Sequence, residues 1–296
     1  MPKFYFFVTK LELISLLKRE VKSRFPFLTF SFAHQNILFY KKEEDKSNIE
    51  IAPLLASFFG PMYGKFPVNT PKIFEIPTGH IAFNVSLKDF VYSGSYDKKL
   101  FSLLNQNIEE SPFSMPDLAP SRAYLKAWEY LQIISELGDP LEKDEEVIEI
   151  GCAPGGASFL FCERGAKVFG VDPGEVSKNL EQFPRSFYHH PIAMQKLKAK
   201  DWGIFLNNPR LLFCDVNLRP SETILYLKKI LGDFKKGGGQ YLVWTVKLTD
   251  WRNCEEFFLK EWPKIERELA LFHPILTLKR VVPSHHKEFL LLVKFR

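Results

Sequence analysis

The chain has 296 residues, 46% apolar and 25% charged, enough to bury a sizeable core and, as a soft prior, enough for two domains. Aromatic residues make up 15%, with 29 phenylalanines, which excludes a disordered polymer. The net charge of +5 permits a nucleic-acid partner without demanding one. No run approaches the ~20 apolar residues of a membrane span. Lys10 and Glu12 break the opening stretch before it can read as a leader, so a cytosolic protein is expected. Cys152, Cys162, Cys214 and Cys254 lack C-x-x-C spacing. Neither a metal site nor a disulfide framework is therefore expected, and each cysteine reads as buried and reduced.

In chain order, a strand is predicted at 4–9 and a helix at 11–24, where Leu13, Ile14, Leu17 and Val21 recur at helical spacing. Strands at 28–33 and 36–40 flank a His34-Gln35 turn. A helix at 51–59, stopped by Gly60-Pro61, precedes strands at 73–77, 81–85 and 90–93. Residues 1–100 thus read as a small α+β module. Residues 101–120, with Asn105, Asn107, Ser111, Pro112, Pro116 and Pro120, read as a connector.

The texture changes over 121–296. Ser121 is the predicted N-cap of a helix reaching Leu137, ended by Gly138. A strand at 146–150 leads into a glycine-rich turn at 151–156 and a helix to about residue 164. Strands follow at 167–171, 211–215 and 240–246, and an antiparallel pair at 276–282 and 288–295 closes the chain. This alternation implies an α/β domain: a mostly parallel sheet covered on both faces, with the terminal pair as its mixed edge.

Gly151, Gly155 and Gly156 let the turn run tightly and bring its backbone close to a ligand. Pro154 stiffens the same loop, G-x-x-P-G-G in pattern, which departs from the dinucleotide G-x-G-x-x-G. A small ligand with a carboxylate or ribose would sit beside the following helix N-terminus. Asp172 ends the next strand, where a carboxylate can accept both hydroxyls of a ribose. The competing reading is an ordinary βα turn, with Asp172 opening a turn of its own.

The Gly151-Cys152-Ala153-Pro154-Gly155-Gly156 turn resembles the S-adenosylmethionine loop of the FtsJ-like RNA ribose 2'-O-methyltransferases. Ser121-Arg122 followed by Lys126 is similar to the S-R-x-x-x-K that opens the preceding helix in that superfamily. Phe213-Cys214-Asp215 with Pro220, and Val246-Lys247-Leu248, resemble its later strands. The likeness is strongest to the bacterial 23S rRNA cytidine 2'-O-methyltransferase branch, through Tyr92-Ser93-Gly94, Ser111-Pro112-Phe113 and Ala119-Pro120-Ser121-Arg122.

The resemblance implies a Rossmann-like domain preceded by a reduced THUMP-like RNA-binding module. It implies a cofactor, S-adenosylmethionine, held by Gly151, Cys152, Ala153, Pro154, Gly155, Gly156, Asp172 and Asp215. It also implies a Lys-Asp-Lys-Glu catalytic set at Lys126, Asp215, Lys247 and Glu288, with Lys247 acting on the hydroxyl and the others orienting it. The implied partner is RNA, 23S rRNA above all, contacted by Ser121 and Arg122, with no membrane or metal and a monomeric protein. Independently of the resemblance, Asp215 and Lys247 both follow apolar strands and so stand on the rim where such sheets bind ligands. Glu288 opens the last strand at that same rim. Read without function, Lys126 is a solvated helix lysine and Asp215 a strand-ending cap.

The family usually places an acid near the adenine, and the stretch 186–193 has none. That departure keeps a second reading open, a catalytically silent RNA-binding or ribosome-assembly factor, beside a third, an enzyme acting on another RNA. The basic stretches Lys196/Lys198/Lys200, Lys228-Lys229 and Lys235-Lys236 are candidate RNA contacts, weighed against solvated faces. His189-His190 and His285-His286 read as surface or loop residues.

Overall fold

The computed structural model describes residues 4–43, 51, 55–56, 58–67, 78, 80–87, 90–97, 114–203, 205–248, 256–281 and 288–295. The chain divides into two compact units, residues 1–110 with 252–259, and residues 111–251 with 260–296.

The first unit is built from β1 (Phe4–Val8), α1 (Ile14–Arg24), β2 (Leu28–His34), β3 (Ile37–Lys42), β4 (Phe58–Pro67), β5 (His80–Leu87) and β6 (Phe90–Asp97). The strands form one six-stranded sheet in the order β2-β3-β1-β4-β6-β5, antiparallel at every pairing. Helix α1 buries Leu16, Leu17 and Val21 and leaves Arg19 and Lys22 in solvent. Each such apolar side chain is worth about 1.5–3 kcal/mol when removed from water. Glu20 is also buried; Arg24 pairs with it at 2.5 Å and the Leu55 N–H donates to it at 2.9 Å. A charge held inside needs such partners.

The helix expected at 51–59 is not what its last residues form: Phe58 and Phe59 begin β4, which runs straight through Gly60-Pro61. The reason is a close approach of two strands. A Cβ on Gly60 would lie 1.9 Å from the Ser95 carbonyl oxygen, and one on Gly94 would lie 2.5 Å from the Pro61 oxygen. Here glycine lets a neighbouring backbone in, rather than ending an element. The strand expected at 73–77 lies outside the described residues.

The second unit contains α2 (Ala123–Glu136), β7 (Glu146–Ile150), α3 (Gly156–Glu163), β8 (Lys167–Val171), β9 (Phe187–His190), α4 (Ala199–Trp202), β10 (Leu211–Cys214), α5 (Pro220–Lys236), β11 (Tyr241–Lys247), α6 (Trp262–Ala270), β12 (Leu276–Arg280) and β13 (Glu288–Lys294). Its seven-stranded sheet has the order β12-β13-β11-β10-β7-β8-β9. From β9 to β11 all pairings are parallel; β13 alone runs against them, lying antiparallel to both β11 and β12. Read from β9, the first five strands follow the 3-2-1-4-5 order of a doubly wound Rossmann-like sheet, whose chain order reverses between β7 and β10. Every residue of β7 is buried, as a central parallel strand covered on both faces requires.

Sequence reading left β9, α5 and α6 unassigned. Helix α5 shows its inner face in Leu227, Ile230, Leu231 and Phe234. Helix α6 buries Trp262, Ile265 and Leu269. The helix starts one residue later than expected, with Arg122 at the N-cap position, but Ser121 still serves its first turn: its hydroxyl accepts from the Ala123 N–H at 3.4 Å and its carbonyl from the Tyr124 N–H at 3.1 Å. A Cβ on Gly156 would fall 2.4 Å from Ser121 Oγ and 2.9 Å from the Tyr124 nitrogen. The starts of α2 and α3 are thus pressed together. Among the described residues no helix is long and apolar enough to cross a membrane.

Candidate active site

The site lies at the C-terminal edge of the seven-stranded sheet, around the β7/β10 reversal where open α/β sheets leave a crevice. A cavity of about 530 Å³ opens there, within the range of roughly 300–1,000 Å³ typical of small-molecule sites. Its wall takes Ser121 from the start of α2, Gly151 and Ala153 from the turn after β7, Asp172 after β8, Asp215 after β10, and Lys247 at the end of β11.

The turn after β7 is shaped by contacts that only glycine permits. Gly151 has φ +84°, and a Cβ there would stand 2.4 Å from the Asp215 carbonyl oxygen. Gly155 has φ +111°, with Leu180 Cδ1 2.4 Å from where its Cβ would be. Asp172 braces the turn, since one carboxylate oxygen accepts from the Ala153 N–H at 3.3 Å and the other from the Gly174 N–H at 2.7 Å. A carboxylate has about four acceptor sites, so room remains for two hydroxyl donors. Cys152 is buried and points away, its sulfur 2.9 Å from the position a Cβ on Gly170 would take.

The four candidate catalytic residues come together. Lys126 Nζ, from α2, lies 3.0 Å from Asp215 Oδ2 and 2.5 Å from Glu288 Oε1. Lys247 Nζ lies 3.0 Å from the other oxygen, Asp215 Oδ1. Asp215 therefore bridges two lysines. Register pairs Lys247 with Glu288 across β11 and β13. Lys247 is the most exposed of the four, its side chain at 23% against 8–12% for the others.

Burial alone lowers the Lys126 ammonium, but Asp215 and Glu288 outweigh it and hold this lysine charged above its ordinary value. Burial likewise raises the Asp215 carboxyl, and Lys126 and Lys247 reverse that, leaving it below the usual range. Lys126 is thus a fixed cation and Asp215 a fixed anion. A lysine that borders a cavity and is oriented by an immobilised carboxylate can polarise a hydroxyl group as its ammonium, and can take up the hydroxyl proton only as its amine.

The remaining candidates divide. Arg122 is exposed beside the cavity-lining Ser121. Cys162 and Cys214 are buried like Cys152, while Cys254 and His285-His286 lie outside the described residues. His189 and His190, expected on the surface, are half-buried because they belong to β9; His189 Nε2 lies 2.9 Å from the Asp172 carbonyl oxygen. Lys228 is paired with Glu268 at 2.5 Å, and Lys235 donates to the Phe272 carbonyl at 2.5 Å, so structural contacts absorb both. Lys196, Lys198 and Lys200 are exposed. Sequence reading missed Gln195, which lines the cavity from the loop after β9; a single glutamine in an irregular stretch gives no signal. Among the described residues no His, Cys, Asp and Glu group has metal-binding geometry.

No family model matches the chain. A protein of Laribacter hongkongensis named ribosomal RNA large subunit methyltransferase M is 27% identical over 140 residues, 45% of this chain and 36% of that protein. A protein of the same name from Halorhodospira halophila is 32% identical over 108 residues, 36% of this chain and 29% of that one. The shared stretch thus spans about a third of each relative. Among solved structures, Aeropyrum pernix fibrillarin with natively bound S-adenosyl-L-methionine is 12% identical with a TM-score of 0.41, covering 80% of this chain and 88% of that one. By sequence, then, this chain is similar over part of its length to the ribosomal RNA large subunit methyltransferases M.

Proposed function

We propose that the protein is an S-adenosylmethionine-dependent RNA ribose 2'-O-methyltransferase acting on a cytidine of 23S rRNA, inside the cytoplasm. The observation that carries the reading is the Lys126–Asp215–Lys247 chain of ion pairs on the wall of a cavity that also holds the glycine turn and Asp172. The names of the curated relatives support an rRNA substrate.

The residues present fit such a cofactor. The Gly151 turn, with no room for a Cβ, brings bare backbone to the cavity wall, and Asp172 retains acceptor sites for a ribose. When bound, S-adenosylmethionine supplies a methyl group already activated for in-line displacement. What the protein adds is position: the acceptor oxygen must sit about 3 Å from the methyl carbon. In this reading Lys247 Nζ orients the 2'-hydroxyl and, in its amine form, takes its proton as the oxygen–carbon bond forms. Asp215 holds Lys247 at 3.0 Å, while Lys126, fixed by Asp215 and Glu288, keeps that carboxylate charged and in place. Ser121 and Arg122 are assigned to the RNA, with Lys196, Lys198 and Lys200 as further phosphate contacts. The N-terminal unit is assigned to gripping the RNA.

The second reading, a silent RNA-binding factor, is favoured by one feature: the cavity wall after β9 is Ala193, Met194 and Gln195, with no carboxylate. The deciding experiment is transfer of labelled methyl from S-adenosylmethionine to protein-free 23S rRNA from a strain lacking this gene, with Lys247→Ala in parallel. Label on a ribose with wild type and none with the variant is the expected result. Label with both proteins removes Lys247 from its role. No label on any RNA, and no cofactor bound, leaves the silent factor.

A further inference from the structure

We propose that Thr245 is a positioning residue for methyl transfer: its hydroxyl donates to Asp215 Oδ1 whenever Lys247 is in the amine form that takes the proton. This rests on the methyltransferase reading above and deepens it by one residue. Thr245 and Lys247 are two residues apart on β11, so their side chains leave the sheet on the same face. The parallel register of β10 and β11 pairs Cys214 with Trp244 at its last step, and the Asp215 N–H continues the ladder by donating to the Ile150 carbonyl at 2.9 Å. The next two residues, Asp215 and Thr245, thus come side by side and share that face. Lys126 reaches Asp215 over the same face from α2.

Two buried oxygens are left over there. Among the described residues Thr245 Oγ1 is fully buried and has no hydrogen-bond partner. Asp215 Oδ1, also buried, has the Lys247 ammonium 3.0 Å away but, among the described residues, no donor in hydrogen-bond alignment, whereas Oδ2 receives one from Lys126 at 3.0 Å. Neighbouring strands stand about 4.8 Å apart, so a turn about Cα–Cβ brings the threonine hydroxyl to the carboxylate. The need for that donor arises in the reaction. While Lys247 is an ammonium, its charge satisfies Oδ1. As the amine it carries no charge, and a buried carboxylate oxygen then lacks its charge-assisted partner. The Thr245 hydroxyl takes that place, so Asp215 keeps its position between the two lysines through the step.

The test compares the whole chain with Thr245→Val, which keeps the shape and removes the hydroxyl, and Thr245→Ser, which keeps the hydroxyl. Single-turnover transfer of labelled methyl to protein-free 23S rRNA is measured beside thermal melting and calorimetric titration with S-adenosyl-L-homocysteine. Thr245→Val should transfer methyl about 10-fold more slowly, the worth of one hydrogen bond to a charged group. It should bind S-adenosyl-L-homocysteine as wild type does and melt at or above the wild-type temperature, because an unpaired buried hydroxyl is gone. Thr245→Ser should recover most of the lost rate although it melts lower, having lost a buried methyl group. Slower transfer from a fold no less stable, rescued by a hydroxyl, does not arise from packing. A wild-type rate in Thr245→Val, a slower rate there that comes with a lower melting temperature, or a Thr245→Ser as slow as Thr245→Val overturns the assignment and leaves the methyltransferase reading standing. Wild type transferring no methyl overturns both.

Discussion

Lys247 and Glu288 stand opposite each other at the end of one strand and the start of another, forty-one residues apart in sequence and paired in register. The pairing exists because β13 alone runs antiparallel, so its first residue arrives at the rim where β10 and β11 end. A parallel last strand would have carried Glu288 to the far edge of the sheet. The inverted hairpin at the C-terminus is what closes the Lys126 ion pairs from a second side.

From this geometry the two residues are expected to differ in kind. Lys247→Ala should lower single-turnover methyl transfer by a factor on the order of 10²–10⁴, the usual worth of a positioned proton acceptor. Affinity for S-adenosyl-L-homocysteine should change little. Glu288→Gln keeps shape and removes one of the two carboxylates facing Lys126, so its loss should be smaller and should come with weaker thermal stability. Equal losses from both variants would mean that the ion pairs matter only as a unit.

Two glycines offer a matched comparison. Gly151→Ala places a methyl 2.4 Å from the Asp215 carbonyl at φ +84°. It should cost about 1–3 kcal/mol of stability and abolish cofactor binding. Gly232, inside α5, has nothing within 4 Å of where its Cβ would be. Gly232→Ala should therefore stabilise the protein by about 0.5–1 kcal/mol through helix propensity, with activity unchanged. Chemical denaturation of the two variants beside wild type reads both signs.

How much of this was legible in the sequence depends on where the deciding contact lies. The strands β7, β8, β10, β11 and β13 announce themselves as apolar runs, and the charges after them fall on the rim by topology alone. The turn at Gly151 is equally plain. What the sequence hides is contact between distant segments. Gly60-Pro61 reads as a breaker because the Ser95 carbonyl that demands the glycine is far along the chain. Nothing local to Ser121 shows that Gly156 packs against it. Lys228 and Lys235 read as basic surface until their partners Glu268 and Phe272 are seen.

The opposite edge of the sheet holds a second charged cluster whose role is stability. Asp139 pairs with Arg210 and with Lys294 (2.6 Å to the latter), and it also accepts from the Tyr241 hydroxyl. It thereby ties together the start of β10, the start of β11 and the end of β13. Burial is the largest single influence and raises its carboxyl, but Lys294, Tyr241 and Arg210 together overcome this and lower it. A lowered acid contributes stability above its unfolded value, lost as pH falls through the folded one. Asp139→Ala should cost about 1–2 kcal/mol at pH 7, and the gap to wild type should close at strongly acidic pH. Methyl transfer at 25 °C should be untouched, because the cluster lies at the far edge from the cavity.

Glu149 titrates in the other direction. It is buried in β7 two residues before Gly151, where the Ser158 hydroxyl donates to it at 2.5 Å. Burial pushes its carboxyl up to about 8; the Ser158 bond opposes this, and Asp215 and Asp172 add to it. An acid raised on folding binds more protons in the native state than in the unfolded one between its ordinary value of 4.5 and about 8. Its contribution to stability is therefore complete below the unfolded value and is lost as pH rises through the folded one. Glu149→Gln carries a permanent neutral group of the same shape and escapes that loss. The variant should melt close to wild type at pH 5 and become progressively more stable relative to it up to pH 9, by a few degrees, on the order of 1–3 kcal/mol. A difference between the two proteins that stays flat across this range would mean that Glu149 is ionised in the folded protein, with Ser158 as its compensating donor.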